Sequence, residues 1–259
     1  MALKGIRRAL EVLALIAERP MRASEIAEAA GVPWATMHRT LTELEKGGFL
    51  RREADTGRYV IGQALWSIGS AYLASHPVYA RAIPYLTEAV QKSQSVVQLC
   101  ERVGRNAVAL FTQAAPANLL PMTTLGTAIP LHAGSKGQVL LAFADPDVVD
   151  WYLAGPLPRL TEATIVDPHR LRERLAEIRA RGHVFTRGDV QTFTQSVAAP
   201  VFDADGRVFA SVSFIEMISE TGGEDRMARQ TELVVRVAGS ISSMLGYRPE
   251  TGWAVRPAH

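Results

Sequence analysis

The sequence is poor in features that would each point to a particular class of protein. Its 259 residues include one cysteine, Cys100, so no disulfide can form within the chain, as is typical of a protein from a reducing cytoplasm. No apolar run approaches the roughly 20 residues that a transmembrane helix needs. The first residues also lack the apolar core of a secretion signal. We therefore expect a cytoplasmic protein that has no membrane partner.

An excess of charge of one sign is also nearly absent. The formal net charge is +2, from 28 Lys and Arg residues and 26 Asp and Glu residues. Residues 1–62 hold ten basic and eight acidic side chains, and residues 63–259 hold 18 of each. The whole excess therefore lies in the first quarter of the chain, where the placement of the basic residues must decide whether they mark a nucleic-acid site.

Residues 1–62 have the pattern of a winged helix-turn-helix domain. Apolar residues at helical spacing predict three helices, over residues 6–17, 25–30 and 34–46. Ser24 is the expected N-cap of the second helix, and Pro33 opens the third, because proline is tolerated in a first turn. Two short strand-like runs on either side of Gly57 then predict a hairpin, the wing.

The order of these elements favours DNA binding. A third helix of this kind enters the major groove, where base edges differ, and the wing brings arginines to the phosphates. The expected DNA-binding residues are Trp34, Thr36, His38 and Arg39 on the helix and Arg51, Arg52 and Arg58 on the wing. A small helical domain that binds protein or only packs is the alternative, whereas RNA binding is disfavoured because interleaved aromatic residues are missing.

The remainder of the chain predicts a linker helix and a second domain. Residues 63–76 are apolar on nearly all faces of a helix, which suits either a dimer contact or a core helix of the second domain. Residues 77–248 mix helices with strands around an antiparallel sheet, so the fold class is α+β. Residues 249–259 are expected to form a flexible tail.

The ordered set of sequence strings resembles the IclR family of bacterial transcription regulators. The strings are RRALEVLALIA, EIAEAAGVPWATMHRTLTELEKGGFL and GRYVIG in the first domain, and IPLHAGSKGQVLLA, IRARGHVF and VAAPVFDADGRVFASVS in the second. The resemblance implies a winged helix-turn-helix, a linker helix and a GAF-like effector-binding domain. It also implies a homodimer or homotetramer on a palindromic double-stranded DNA operator, and a small organic or aromatic acid as effector.

The resemblance also implies the positions of an effector pocket. Ser135, Lys136 and Gly137 occupy a loop that offers backbone N–H groups at a helix start, where anions are favoured. Three further pocket positions fall at Thr186, Ser196 and Ser213.

This sequence departs from the family pattern at several positions. Trp34 and Ala35 stand where a polar or basic residue and a serine are common. Thr186 stands where an acid is common, which reduces the repulsion of anions by the pocket, and Ile215 makes the pocket floor more apolar. Lys136 replaces a small residue: pointing inward it would pair with a carboxylate, and pointing outward it would be an ordinary surface lysine. We therefore expect an anionic, partly apolar effector.

Nothing in the sequence predicts catalysis. The HExxH, CxxC, GxSxG and GxxxxGK[ST] motifs are absent, so we expect no catalytic residue, no metal and no cofactor. His132 precedes the loop and either bonds a ligand or packs beneath it. The main hypothesis is a ligand-responsive DNA-binding regulator, with a repressor favoured and an activator possible. The alternative is an enzyme or ligand-binding module whose helix-turn-helix contacts protein.

Overall fold

A computed structural model of the chain describes residues 2–76, 78–116, 125–218 and 223–248. The chain divides into two units, Met1–His76 and Pro77–His259, and each is described by itself. The predicted flexible tail, residues 249–259, lies outside the described residues.

The first unit is a winged helix-turn-helix, as predicted. Its elements are α1 (Ala2–Glu18), α2 (Ala23–Ala29), α3 (Trp34–Lys46), β1 (Leu50–Arg52), β2 (Tyr59–Ile61) and α4 (Gln63–Ser75). Strands β1 and β2 pair antiparallel to form the wing. Apolar residues of α1, α2 and α3 meet the hairpin in one core, which includes Ile16, Ile26, Met37, Leu41 and Tyr59.

The start of α2 differs from the prediction. The helix begins at Ala23, and the side chain of Glu25 accepts a hydrogen bond from the backbone N–H of Arg22 at 2.5 Å. The expectation that Ser24 is the N-cap is therefore wrong, because the carboxylate of Glu25 already satisfies the N–H of the residue that precedes the helix.

Helix α4 belongs to the first unit and has no buried residue. Its large apolar side chains stand in solvent: Trp66 is 71% exposed, Ile68 57% and Tyr72 50%. An apolar helix that is exposed along its length lacks the burial that normally stabilises such a surface.

The second unit is built around one sheet. Its helices are α5 (Tyr79–Ser93), α6 (Gly134–Ala142), α7 (Pro146–Leu153), α8 (Pro168–Arg181) and α9 (Gly223–Met244). Its strands are β3 (Val96–Val103), β4 (Asn106–Ala114), β5 (Ala128–Pro130), β6 (Val184–Arg187), β7 (Thr194–Phe202) and β8 (Val208–Met217). The six strands are antiparallel, in the order β5-β4-β3-β8-β7-β6. This arrangement confirms the predicted α+β class.

Helices cover both faces of this sheet, because alternate residues of each strand point to opposite faces. On one face, Leu99 and Phe214 pack in a core with residues of α5 and α9. On the other face, Val184 and Ala198 pack in a second core with residues of α6, α7 and α8. The candidate ligand site lies on this second face, at the start of α6.

Two glycines set the position of α6. Gly134 begins the helix with φ at +73°, a conformation that favours glycine. Gly137 lies so close to the preceding loop that a Cβ there would stand 2.7 Å from the backbone oxygen of Leu131. A larger residue at Gly137 would therefore push the first turn of α6 away from that loop.

Candidate functional site

The outer face of α3 carries the side chains that the sequence predicts for DNA contact. Trp34 is 55% exposed, and His38 and Arg39 are exposed, whereas Thr36 is half-buried. The Trp34 and His38 rings lie 6.0 Å apart between centroids. Met37 and Leu41 face the core instead. The polar side of the helix is thus free to meet another molecule.

The three arginines of the wing differ in what they contact. Arg51 is exposed, and the Nε of Arg52 donates to the backbone oxygen of Gly57 at 3.3 Å. Arg58 donates to the backbone oxygen of Pro20 at 2.9 Å and pairs with Glu25 at 3.2 Å. Arg58 therefore ties the wing to the rest of the domain, while Arg51 presents its charge to solvent.

A small cavity opens where the N-terminus of α6 faces the sheet and the loop that follows β6. The space measures about 50 Å³, room for a few water-sized molecules. Its polar lining comes from Ser135, Lys136, Asp189, Gln191, Thr194 and Ser196, and its apolar lining from Val96, Ile129, Val190 and Ile215. Polar groups converge on an apolar space, as they do in small-molecule sites.

Lys136 takes the inward of its two possible orientations. The residue is 3% exposed, and its Nζ donates to the Oε1 of Gln98 at 2.7 Å. Within the part of the chain that the structure describes, no carboxylate forms an ion pair with it. A buried ammonium group held by a neutral acceptor alone is costly, so an anionic ligand in the cavity would supply the missing counter-charge.

Asp189 is a cavity residue that the sequence analysis missed. Its Oδ2 accepts hydrogen bonds from the backbone N–H of Gly134 at 2.8 Å and from the Nε2 of Gln138 at 3.3 Å. Burial raises the pKa of this carboxyl, and the bond from Gly134 opposes that rise. Asp189 thus places an acid in the cavity although Thr186 replaces one, so the expected advantage of Thr186 for binding anions is offset.

A short chain of hydroxyl groups joins three of the predicted pocket residues. Ser135 Oγ donates to Ser196 Oγ at 2.8 Å, and Ser196 Oγ lies 3.1 Å from Thr186 Oγ1. Ser135 and Ser196 line the cavity, but Thr186 faces a neighbouring cleft instead.

The structure does not bring all the predicted pocket residues to the cavity. Ser135, Lys136 and Ser196 line it. Gly137 faces the loop around Leu131, and Ser213 is fully buried in the sheet opposite Gln98. Gly137 thus serves packing, and Ser213 is not among the residues that line the cavity.

His132 packs beneath the loop rather than facing the cavity. Its Nδ1 lies 2.8 Å from the Tyr152 hydroxyl and its Nε2 lies 2.9 Å from the backbone oxygen of Pro158. Burial lowers the pKa of this imidazole. Both ring nitrogens are engaged within the protein, which settles the choice that the sequence left open.

The described ranges contain neither a metal-binding cluster nor a membrane-spanning helix. Across residues 2–76, 78–116, 125–218 and 223–248, no cluster of three or more His, Cys, Asp or Glu side chains could hold a metal ion. The helices in those ranges include none that is long and apolar enough to cross a bilayer.

Comparison with known proteins matches both units of the chain. Residues 70–243 match the family model described as bacterial transcriptional regulator IclR C-terminal. Residues 5–54 match the model of the IclR helix-turn-helix domain.

Individual relatives match along almost the whole chain. The transcriptional repressor IclR of Escherichia coli (strain K12) is 28% identical over 249 residues, which span 94% of this chain and 90% of that protein. The HTH-type transcriptional repressor AllR of Klebsiella pneumoniae is 31% identical over 228 residues, 88% of this chain and 84% of that protein. The crystal structure of an IclR homologue from Microbacterium hydrocarbonoxydans, complexed with 4-hydroxybenzoate, has a TM-score of 0.80 at 26% identity and covers 93% of this chain and 98% of that one.

Proposed function

The chain belongs to the IclR family of bacterial transcriptional regulators. From this premise we propose that it is a cytoplasmic repressor whose affinity for a palindromic operator is controlled by a small carboxylate. Members of the family are DNA-binding regulators and not enzymes, so the alternative of an enzyme or ligand-binding module has no observation in its favour. The observation that carries the proposal is that α3 exposes a polar face with His38 and Arg39 in one unit, while the other unit buries Lys136 without an ion pair among the described residues.

Contacts on α3 and the wing have distinct roles in this proposal. Thr36, His38 and Arg39 reach base edges in the major groove, where an arginine bonds guanine in bidentate fashion. Trp34 stands beside His38 at the start of the helix and packs against the DNA backbone. Arg51 and Arg52 neutralise phosphates, whereas Arg58 acts through the position of the wing.

The effector in this proposal is a monocarboxylate of small size. Lys136 Nζ provides a charge-assisted hydrogen bond to the carboxylate, and Val96, Ile129 and Ile215 contact its apolar part. A cavity of about 50 Å³ accepts a short aliphatic acid as it stands. An aromatic acid, such as the 4-hydroxybenzoate bound to the Microbacterium homologue, requires the loop around Val190 and Gln191 to move outward.

The proposed repressor binds DNA as a homodimer or as a homotetramer. A palindromic operator repeats one half-site through a two-fold axis, so two recognition helices must bind it together. The exposed apolar face of α4, with Trp66, Ile68 and Tyr72, is the surface proposed to pair the subunits.

Binding to the DNA upstream of its own gene tests this function. In a fluorescence anisotropy titration, we expect sequence-selective binding that weakens steeply with salt. Arg39→Ala should weaken specific binding by about 5- to 150-fold, the equivalent of about 1–3 kcal/mol for one base contact. If both the wild type and Arg39→Ala bind that DNA no better than unrelated DNA at low salt, the proposal is wrong.

A further inference from the structure

A second and larger cleft adjoins the cavity. The wall between them includes Asp189, which lines both spaces. Helix α8 forms one side of it through Arg170, Glu173, Arg174 and Glu177, and β6 with its following loop forms the other through Phe185, Thr186, Arg187 and Asp189. The cleft measures about 370 Å³, against about 50 Å³ for the cavity beside Lys136. A volume of this size falls within the range of small-molecule sites.

Gln138, which lines the cleft, carries a buried polar atom without a partner among the described residues. Gln138 is 2% exposed, and its Nε2 donates to the backbone oxygen of His132 at 3.1 Å and to Asp189 at 3.3 Å. These two acceptors fix the orientation of the amide, because an oxygen in place of Nε2 would have nothing to donate. Its Oε1 receives no hydrogen bond from any group that the structure describes. A ligand that donates to this oxygen would satisfy it.

The rim of the cleft carries two free guanidinium groups. Arg174 is engaged, since it bonds Glu177 at 3.2 Å and the backbone oxygen of Phe185 at 2.7 Å. The side chains of Arg170 and Arg187, by contrast, make no ion pair or hydrogen bond with the described residues. Guanidinium groups at a pocket rim bind carboxylates well, because their planar fork matches the two oxygens.

We propose that this cleft is a second ligand site, for a small acid that also carries a hydroxyl or ammonium group. The carboxylate lies between Arg170 and Arg187 at the rim. The hydroxyl or ammonium group reaches inward and donates to Gln138 Oε1. This site differs from the effector cavity in its walls, in its greater volume and in its demand for a hydrogen-bond donor on the ligand.

The two sites share the hydrogen bonds of the wall between them. Gln138, which the cleft ligand contacts, donates to the same Asp189 oxygen that accepts from the Gly134 N–H at the start of α6. The hydroxyl chain from Thr186 to Ser196 and Ser135 runs from the cleft into the cavity. Through these shared bonds we expect a ligand in one site to change the affinity of the other, and linkage requires any such effect to be reciprocal.

Calorimetric titration of the full chain with matched pairs of acids tests the proposal. L-malate and succinate differ by one hydroxyl, and L-glutamate and glutarate differ by one ammonium group. We expect at least one donor-bearing acid to bind at least about tenfold more tightly than its partner, because it alone satisfies Gln138. The pair that shows the difference identifies whether the natural donor is a hydroxyl or an ammonium group.

Variants on either side of the wall locate the binding. Arg170→Gln with Arg187→Gln changes exposed side chains only, and it should weaken the donor-bearing acid by at least about tenfold. Lys136→Met should weaken that acid much less than the double arginine variant does, because the cleft does not include Lys136. The proposal is overturned if neither donor-bearing acid binds at about 1 mM, or if Lys136→Met abolishes the binding while the double arginine variant preserves it.

These outcomes are independent of the repressor proposal. A chain that binds its operator but binds neither donor-bearing acid refutes the second site alone. A chain that binds the acids in the cleft but no operator refutes the regulatory role and leaves the second site standing.

Discussion

Replacing the buried lysine of the effector cavity should have two opposite effects. Methionine keeps most of the length of the Lys136 side chain and removes its charge. Because the ammonium group is buried with a neutral partner, Gln98, at 2.7 Å, its loss should relieve the ligand-free protein of an uncompensated charge. The same loss should remove the counter-charge for a bound carboxylate.

The magnitudes follow from the burial of the group. Removal of one partner from a buried, hydrogen-bonded charge pair costs about 2–5 kcal/mol, and about 1.4 kcal/mol is a factor of ten, so the affinity for the best carboxylate should fall at least about thirtyfold. The ligand-free variant should gain about 1 kcal/mol in stability, which raises Tm by about 2–4 °C in a chain of this size.

Calorimetry and thermal unfolding of the full chain provide the assay. The panel includes acetate, pyruvate, benzoate and 4-hydroxybenzoate, together with benzamide, which has the shape of benzoate without its charge. The wild type should prefer benzoate to benzamide, and Lys136→Met should lose that preference. Lys92→Met is the matched control, because Lys92 is an exposed lysine paired with Glu88 on α5. An unchanged affinity of Lys136→Met for the best acid would refute the reasoning.

Three further predictions concern the wing, the packing of α6 and the lone thiol. Arg58→Ala should lower the stability of the first unit by about 1 kcal/mol in urea unfolding. Arg58→Ala should reduce the salt dependence of DNA binding less than Arg51→Ala does. An equal reduction would contradict the proposal that Arg58 positions the wing whereas Arg51 contacts a phosphate. Gly137→Ala should lower Tm because its Cβ would overlap backbone. Gly239→Ala, where a Cβ meets nothing within 4 Å, should preserve or raise Tm. An equal decrease of Tm in both variants would contradict a local clash at Gly137. Burial raises the pKa of Cys100 to about 11, so titration with a thiol reagent at neutral pH should detect this thiol only after denaturation.

Helices with strong end signals were predictable from the sequence. Both bounds of α3 match the prediction, because Pro33 and Gly47 flank it. Helix α8 has equally strong end signals, since Asp167 accepts a hydrogen bond from the backbone N–H of Arg170 at 2.8 Å and Gly182 ends the helix with φ at +74°. Such end signals act within a few residues and do not depend on distant packing.

The two edge strands of the sheet carry little signal in the sequence. Strand β5 has three residues and β6 has four, too few for an alternation of apolar and polar residues to stand out. Both strands owe their extended form to pairing with one neighbour, β4 for β5 and β7 for β6. Neither strand has a sequence signal of its own, so only the folded sheet reveals them.

The candidate site was predictable only where it is local in sequence. The start of α6, with Ser135 and Lys136, lies within one string and was found. Asp189 was missed because the loop after β6 reaches the cavity through the pairing of β6 with β7. Ser213, which the resemblance assigns to the pocket, is buried opposite Gln98 in the sheet, and its role in the pocket stays a prediction. Sequence position gives the strand of such a residue but not its depth in the sheet.

The uncompensated charge of Lys136 also bears on how long each copy of the protein survives. A ligand that binds only the folded chain stabilises it by RT ln(1 + [L]/Kd), and the proposed carboxylate would also neutralise a buried cation. We therefore expect copies without the proposed effector to open more often and to be exposed to proteases more often. In a cell the effector would then govern the abundance of this repressor as well as its affinity for DNA. The two responses would differ in speed, since release from DNA follows effector binding at once, whereas degradation requires many local unfolding events.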